Sequence, residues 1–301
     1  MDQLMNKGVI YAAASYVAWG LLPIYWKSLH NVPASQILSH RIVWSLLFVG
    51  LILTLRRNWD WLRPAIARPR VLMTFVLSGI LLGINWFVYI WGVNAGFIVE
   101  TSLGYFINPL VNVLLGYIFL KERLRPVQWL ALSVALGGVL YLTVSYGAFP
   151  WIALTLAFTF GTYGLLRKTA ALNSAEGLFL ETAVLFLPAF GFLLLQERGG
   201  VGAFAHAGLT TTLLLMGAGV VTSVPLILFA SGARQITMTT LGLLQYIAPT
   251  LQFLIGVLIY NEEFGMSRVI GFGLIWLALI LYTSESILRR RGMAKPSAAS
   301  G

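Results

Sequence analysis

The chain has 301 residues, of which 58% are hydrophobic and 10% charged; it carries a formal net charge of +10 and contains no cysteine. Because soluble domains have about 25% charged residues, this composition excludes an ordinary soluble domain. The lack of cysteine excludes a disulfide framework, a thiolate-bound metal and a cysteine nucleophile.

Ten apolar segments follow one another with short connections, and each is long enough to cross roughly 30 Å of hydrocarbon as a helix. They cover residues 7–26, 34–55, 71–91, 97–119, 125–145, 149–167, 176–196, 208–232, 238–260 and 265–288. The sequence therefore predicts an all-α membrane protein with ten transmembrane helices. No small-residue cleavage signal accompanies the first segment, which we expect to be retained. The small and polar residues 292–301 predict a disordered tail.

The basic residues fall mainly on one side of these spans. If the N-terminus is cytoplasmic, sixteen of the twenty lie in cytoplasmic segments, namely Lys7, Arg56, Arg57, Arg63, Arg68, Arg70, Lys121, Arg123, Arg125, Arg167, Lys168, Arg234, Arg289, Arg290, Arg291 and Lys295. Lys27, Arg198 and Arg268 lie outside, and Arg41 lies within a span. This bias predicts that both termini are cytoplasmic. It also explains the positive charge without nucleic acid, so we expect a lipid bilayer and a small solute as partners and no nucleic acid; the sequence leaves the oligomeric state open.

Two stretches of the chain, residues 100–123 and 239–263, resemble each other. At an offset of 140 the matching residues are Ile107 and Ile247, Pro109 and Pro249, Gly116 and Gly256, and Glu122 and Glu262. A repeat of this length contains five spans, an odd number, so the second copy enters the membrane upside down. The sequence predicts two inverted five-helix repeats, residues 1–145 and 146–291. Such proteins place their substrate site near the midplane, between the repeats.

Each repeat contains one apolar helix with a proline at its middle and a stripe of polar side chains. Tyr105, Asn108 and Asn112 fall within about 60° on one helix face, and Gln245 and Gln252 do the same in the second repeat. Each proline removes a backbone donor and frees the carbonyl four residues earlier. The amides could instead join neighbouring helices by hydrogen bonds. The recurrence of the stripe and the proline in both repeats favours a cavity lining.

A second stripe, with an adjacent tryptophan, lies on the third span. The candidate cavity residues are Asn85, Trp86, Tyr89, Tyr105, Asn108, Asn112, Gln245, Tyr246 and Gln252, and the candidate hinges are Pro109 and Pro249. The pair Gly79 and Gly83 predicts close helix packing. On the first span Trp19 shares a face with polar residues, whereas Trp26 is typical of an interfacial aromatic belt.

Four ionisable residues within the spans are candidates for function, because such groups need a partner or water inside a membrane. They are His40, Arg41, Glu100 and Glu181. Arg41 and Glu181 occupy equivalent repeat positions, but inversion puts them at different depths. By depth we expect Glu100 to pair with Arg41, and Arg167 or Lys168 to pair with Glu181. Buried pairs that only lock helices together are the structural alternative.

Enzyme signatures are missing from the sequence. Its three histidines, His30, His40 and His206, are scattered, and neither a metal-ligand spacing nor a phosphate-binding glycine loop occurs. We therefore expect no catalytic residues, no metal and no cofactor. Without an ATP-binding motif, any uphill transport would use an ion gradient or solute exchange.

Eight segments of the chain match a known family, namely residues 19–27, 32–45, 85–94, 100–112, 163–168, 180–182, 221–226 and 241–250. In these segments the chain resembles the drug/metabolite transporter superfamily, whose members have two EamA-type repeats, and in particular its RarD branch. The resemblance implies an exporter-like fold in a bacterial inner membrane and an association with chloramphenicol sensitivity. We expect a secondary transporter that exports small amphipathic metabolites or amino-acid-like solutes, with amphenicol-type drugs as incidental cargo. The alternative is a channel or partner subunit that affects drug sensitivity indirectly.

Overall fold

The computed structural model describes residues 2–95, 97–260 and 265–293, and within these ranges all regular structure is helical. The helices are α1 (Asp2–Lys27), α2 (Ala34–Leu55), α3 (Leu62–Ala67), α4 (Pro69–Asn94), α5 (Ile98–Phe119), α6 (Pro126–Tyr146), α7 (Trp151–Thr169), α8 (Ser174–Arg198), α9 (Leu209–Ala233), α10 (Met238–Gln245), α11 (Ile247–Leu258) and α12 (Met266–Met293).

The helices coincide with the ten predicted spans. The ninth span corresponds to α10 and α11 together, and the short α3 is an addition that lies in a predicted loop. In the described part of the chain, eight stretches are long and apolar enough to cross a membrane by themselves, including the combined stretch of α10 and α11. The sixth span, α7, falls outside this group; it contains four threonines and ends in Arg167 and Lys168. The tenth, α12, contributes a shorter apolar stretch at 269–282.

Local sequence signals explain where several helices begin and end. Asn173 and Glu176 form a capping box at the start of α8, in which each side chain accepts a hydrogen bond from the other residue's backbone N–H. Pro126 occupies the first turn of α6, where its missing N–H costs nothing. Gly147 ends α6 with a φ of 77°, a left-handed conformation that glycine adopts without strain.

The helices of each half pack mainly against those of the other half. In the first half α1 contacts α9, α10 and α11, and its repeat counterpart α7 contacts α4 and α5. Three further pairs consist of equivalent helices: α2 with α8, α6 with α12, and α5 with α10. Exchanging the two halves leaves these main pairings unchanged, as a two-fold relation between inverted repeats requires. The space between the halves is therefore formed by both repeats.

Glycines allow two of these crossings to be close. A Cβ added at Gly79 would lie 3.1 Å from the Glu181 carbonyl oxygen, and one at Gly83 would lie 2.7 Å from Leu185. The predicted packing role of these two glycines on α4 is confirmed. A Cβ at Gly242 on α10 would lie 2.7 Å from the carbonyl oxygen of Pro109. The second proline-containing span thus rests directly on the proline region of α5.

The two proline-containing spans differ in their continuity. The helix α5 runs from Ile98 to Phe119 with Pro109 inside it. The ninth span is interrupted at Tyr246, three residues before Pro249, where α10 ends and α11 begins. A proline ring clashes with the carbonyl four residues earlier, which here belongs to Gln245, the last residue of α10. Only the second of the two predicted kinks is thus a break in the helix, and the hinge role of both prolines stays a prediction.

Candidate functional site

A cavity of about 290 Å³ lies between the two halves of the bundle. Its walls come from α1, α2, α4, α5, α7, α9, α10 and α11. The lining residues are Tyr16, Trp19, Leu22, Pro23, Trp26, Arg41, Asn85, Trp86, Tyr89, Thr101, Gly104, Tyr105, Asn108, Leu156, Phe160, Thr222, Leu226, Gln245, Ala248, Pro249 and Gln252. Aromatic rings and amides dominate this set, so the cavity combines apolar surface with a few polar groups, as small-molecule sites do.

Measured along the helix axes, the cavity lies closer to one end of the bundle than to the other. The lining residues of α1 belong to its C-terminal half and those of α5 to its N-terminal half. Trp26 in the last turn of α1 and Thr101 in the first turn of α5 mark the same end of the bundle. In the topology predicted from the basic residues, this is the outer end.

Most of the residues predicted from the sequence line this cavity. They are Arg41, Asn85, Trp86, Tyr89, Tyr105, Asn108, Gln245, Pro249 and Gln252. Residues that are far apart in the sequence and belong to both halves are thus brought together. Whether they bind a solute stays a prediction.

The side chain of Arg41 lies on the cavity wall between two indole rings. Its guanidinium carbon is 4.8 Å from the ring centroid of Trp26 and 4.8 Å from that of Trp86, and its Nε donates a hydrogen bond of 3.0 Å to the hydroxyl of Thr222. Trp26 therefore lines the cavity, a role beyond the interfacial belt expected for it. Stacking on aromatic faces stabilises a guanidinium and fixes its plane.

Two phenols stand beside Arg41. The rings of Tyr89 and Tyr105 meet edge to face with their centroids 5.8 Å apart, and both line the cavity together with Arg41. The predicted partner of Arg41 is Glu100, whose side chain lies outside the described residues, so that pairing stays a prediction. Among the described side chains, no carboxylate forms an ion pair with Arg41.

The side-chain amides that line the cavity differ in whether they form hydrogen bonds with the protein. Asn85 donates to the carbonyl of Leu156 at 2.9 Å and to the hydroxyl of Thr159 at 3.0 Å, and Gln252 donates to the carbonyl of Trp19 at 3.2 Å. Asn108 has no hydrogen-bond partner for its side chain among the described residues, and its buried Oδ1 is unsatisfied. The Oδ1 of Asn112, which does not line the cavity, is unsatisfied too, so the position of Asn108 on the cavity wall is what makes its amide available to a ligand.

Three candidates on the proline-containing spans, Asn112, Tyr246 and Pro109, lie off the cavity. Asn112 is fully buried one turn below Asn108 and donates a hydrogen bond of 2.8 Å to Gln245 Oε1. The hydroxyl of Tyr246 donates to the carbonyl of Phe106 at 3.2 Å. These two side chains join α5 to α10, which is the structural alternative considered for the amides. Pro109 has its carbonyl against α10 at Gly242.

The other intramembrane charges also lie away from the cavity. His40 stacks on Phe204 with ring centroids 5.2 Å apart. Glu181 is completely buried 3.6 Å from the guanidinium of Arg167, and it accepts hydrogen bonds from Ser78 at 2.6 Å and from Tyr163 at 3.4 Å. The pairing of Glu181 with Arg167, predicted from their depth, is confirmed.

Several lining residues have no polar signal in the sequence. The rings of Tyr16, Trp19 and Phe160 form one wall, with centroids 5.7 Å apart for the first pair and 5.6 Å for Trp19 and Phe160. An aromatic residue in an apolar helix gives no indication of whether it faces lipid or a cavity. The repeat offset of 140 supplies part of the missing signal, because it relates Tyr16 to Leu156 and Trp86 to Leu226, and all four line the cavity.

The opposite end of the bundle carries polar contacts at Glu122, which join the two halves, and at Lys168, which lie within the second half. The carboxylate of Glu122 accepts hydrogen bonds from the backbone of Met238 at 2.6 Å and from the backbone and hydroxyl of Thr239 at 3.0 and 2.9 Å. An anion at the start of α10 is favoured there by the helix dipole. Lys168 donates to the carbonyls of Ala233 and Ile236. In the described ranges, no group of three or more acidic or histidine side chains could hold a metal ion.

Comparison with known proteins gives relatives over nearly the whole chain. Residues 6–144 match the model described as the EamA-like transporter family. The chain is 48% identical to the uncharacterized transporter YojE of Bacillus subtilis, over 95% of this chain and 96% of that protein. It is 41% identical to the protein RarD of Escherichia coli, over 96% of this chain and 98% of that one.

A third relative is the chloramphenicol-sensitive protein RarD of Pseudomonas aeruginosa, which is 32% identical over 96% of this chain and 98% of its own length. A protein of known crystal structure shares the fold, with a TM-score of 0.69 over 93% of this chain and 98% of that chain. The identity to that structure is 18%, so the likeness concerns the fold alone.

Proposed function

Since this chain belongs to the EamA-like transporter family, in its RarD-like branch, we propose that it exports small amphipathic solutes by alternating access. Membership makes it a multi-pass transporter of bacterial membranes. The finer parts of the proposal, namely the site, the cargo and the direction, rest on the cavity between the two halves.

The observation that carries the proposal is that both repeats supply the cavity wall near the middle of the bundle. Tyr105 and Gln245 occupy equivalent repeat positions, and both face the cavity. Inverted-repeat transporters bind their substrate at such an interface and change its access by rocking one bundle against the other. When the two halves move relative to each other, the lining residues that they contribute to the site change their relative positions.

The closed end supports the alternating part of the proposal. Glu122 ties the segment after α5 to the start of α10, across the two halves, by hydrogen bonds from Met238 and Thr239. In the predicted topology with cytoplasmic termini, these contacts seal the inner side while the cavity lies toward the outer side. Export requires the reverse arrangement as well, in which these contacts separate and the outer ends of α1 and α5 close.

The cavity also supports a small amphipathic cargo. Its volume of about 290 Å³ is at the lower end of ligand pockets, which span roughly 300–1,000 Å³. The aromatic wall suits an apolar or aromatic body, and the amides suit polar substituents. Metabolites or amino-acid-like solutes are the natural cargo in this proposal. One relative is named for chloramphenicol sensitivity, which supports testing an amphenicol as incidental cargo.

Counterflow in proteoliposomes tests the proposal. Vesicles loaded with unlabelled solute should take up labelled solute transiently and saturably, because alternating access couples exit to entry. A channel, the competing function, would pass solute without acceleration by internal solute. Uptake that does not respond to internal solute, for every solute that crosses the membrane, would refute the transporter proposal.

The orientation is tested separately by labelling single cysteines, since the chain has none of its own. Arg63→Cys lies in α3, between α2 and α4, and His206→Cys lies in the loop between α8 and α9; both positions are exposed. We expect an impermeant thiol reagent added outside the cell to label only His206→Cys. Labelling of Arg63→Cys from outside would contradict the proposed orientation.

A further inference from the structure

The cavity wall carries a guanidinium and, among the described side chains, no carboxylate. From this we infer that the cargo is an amphipathic carboxylate whose anionic group binds Arg41. The inference rests on the proposed function, because it assigns a chemical class to the solute of the same cavity.

The first support is the way in which Arg41 is held. The indoles of Trp26 and Trp86 fix the plane of the guanidinium, and Thr222 takes the hydrogen bond from Nε. The two terminal nitrogens have no acceptor among the described residues. A guanidinium held in this way presents two parallel donors, which is the geometry that binds a planar carboxylate through both its oxygens.

The second support is that the described wall residues carry no charge that would compensate another class of solute. A cationic solute would meet a fixed positive charge on the wall and no described carboxylate. A neutral solute would leave the guanidinium without an anionic partner among the described side chains when the cavity is filled and water is displaced. A carboxylate resolves both problems, because buried charges are stabilised only when they are paired and hydrogen-bonded.

The remaining walls define the rest of the molecule. Asn108 offers an amide without a described partner, and Gln245 uses its oxygen to accept from Asn112. These groups suit a polar substituent on the cargo. Tyr16, Trp19 and Phe160 present ring faces and edges to its apolar body. The matching cargo is a small carboxylate with an aromatic or aliphatic body.

The test uses ligands that share one body and differ in one group. The purified full chain in detergent is titrated calorimetrically with 3-phenylpropionate, 3-phenylpropan-1-ol, 3-phenylpropylamine and 2-phenylethyl phosphate. We expect 3-phenylpropionate to bind on the order of tenfold to a hundredfold more tightly than the alcohol, since hydrogen bonds to charged groups contribute that much. The amine should bind more weakly than the alcohol, and the phosphate more weakly than the carboxylate.

Variants then assign the preference to Arg41. Arg41→Gln should bring the affinities for 3-phenylpropionate and the alcohol to within a few-fold of each other. Arg41→Lys should retain part of the preference, because it keeps the charge and loses the two parallel N–H donors of the guanidinium. Arg63→Gln, which removes an equal charge from an exposed position on α3, is the matched control and should leave the preference unchanged.

The outcomes separate this inference from the proposed function. If the alcohol or the amine binds as tightly as the carboxylate, or if Arg41→Gln keeps the preference, the carboxylate assignment is wrong while the cavity still binds solutes. Tighter binding of 2-phenylethyl phosphate would also overturn the assignment. If no ligand binds and counterflow is absent for all four, both the inference and the proposed function fail.

Discussion

Arg41 and Glu181 occupy equivalent positions in the two repeats, and their surroundings differ completely. Glu181 is 0% exposed, and its partner Arg167 is 1% exposed; two hydroxyls complete the shell around the carboxylate. Arg41 is only partly buried and borders the cavity, where rings and one hydroxyl hold it. A charge at the same repeat position is paired within the protein in one half, and in the other it has no anionic partner among the described side chains. The comparison separates a structural ion pair from a candidate binding group.

The strongest effect should come from breaking the enclosed pair. Glu181→Gln leaves the buried guanidinium of Arg167 without an anion, which we expect to cost about 3–5 kcal/mol of stability. Glu285→Gln is the matched control, because its pair with Arg125 is 18% and 32% exposed and should contribute less than about 1 kcal/mol. Thermal unfolding in detergent measures both. Equal losses in the two variants would contradict the structural role of Glu181.

A double-mutant cycle tests the partner predicted for Arg41. If Glu100 pairs with Arg41 in the empty cavity, Arg41→Gln or Glu100→Gln alone should cost about 1–3 kcal/mol, less than Glu181→Gln, because water can enter a polar cavity of this size. The double variant should recover most of that loss, and a cargo carboxylate would then displace Glu100 at the guanidinium. Stability losses that simply add would exclude the pair.

Two asparagines one turn apart on α5 provide a sharper contrast. Asn112→Leu removes the partner of Gln245 in the core and should cost about 1–3 kcal/mol of stability. Asn108→Leu removes an unsatisfied amide, so stability should hold or rise while solute affinity falls by about 0.5–1.5 kcal/mol. Melting temperature and affinity are measured on both variants. Asn108→Leu with unchanged affinity would remove this residue from the site.

The smallest effect is expected at the closed end. Glu122→Gln weakens the capping of α10 and should cost about 0.5–2 kcal/mol in the state that faces outward. If this contact seals the inner side, the variant shifts the population toward the inward-facing state. A cysteine in place of the buried Met238, whose backbone N–H and not its side chain bonds Glu122, should then react faster than the same cysteine in a chain that keeps Glu122. An unchanged reaction rate would show that Glu122 is not part of the seal.

The sequence predicts the fold well because hydrocarbon thickness sets the span length and the odd number of spans sets the inversion. It cannot distinguish Pro109, inside a continuous helix, from Pro249, which follows a break, because the difference lies in tertiary packing. The short α3 was also beyond a hydropathy argument, since it does not cross the membrane.

The site was predictable to the extent that it depends on polar residues in apolar helices. Arg41, Asn108 and Gln252 were found in this way. A stripe 60° wide faces more than one neighbour, so the helix period alone cannot place Asn108 on the cavity and Asn112 against α10. The aromatic wall lacks a polar signal altogether, and the repeat relation identifies only part of it.

Protection of a single cysteine tests the central claim, that solute binds between the two halves, most directly. In this cysteine-free chain, Asn108→Cys carries the only thiol, and its rate of reaction with a small permeant maleimide can be measured with and without a solute that shows counterflow. We expect saturating solute to slow this reaction at least severalfold, while Asn112→Cys reacts slowly throughout and His206→Cys reacts at the same rate in both conditions. Reaction of Asn108→Cys at an unchanged rate in the presence of a transported solute would contradict the proposed binding site.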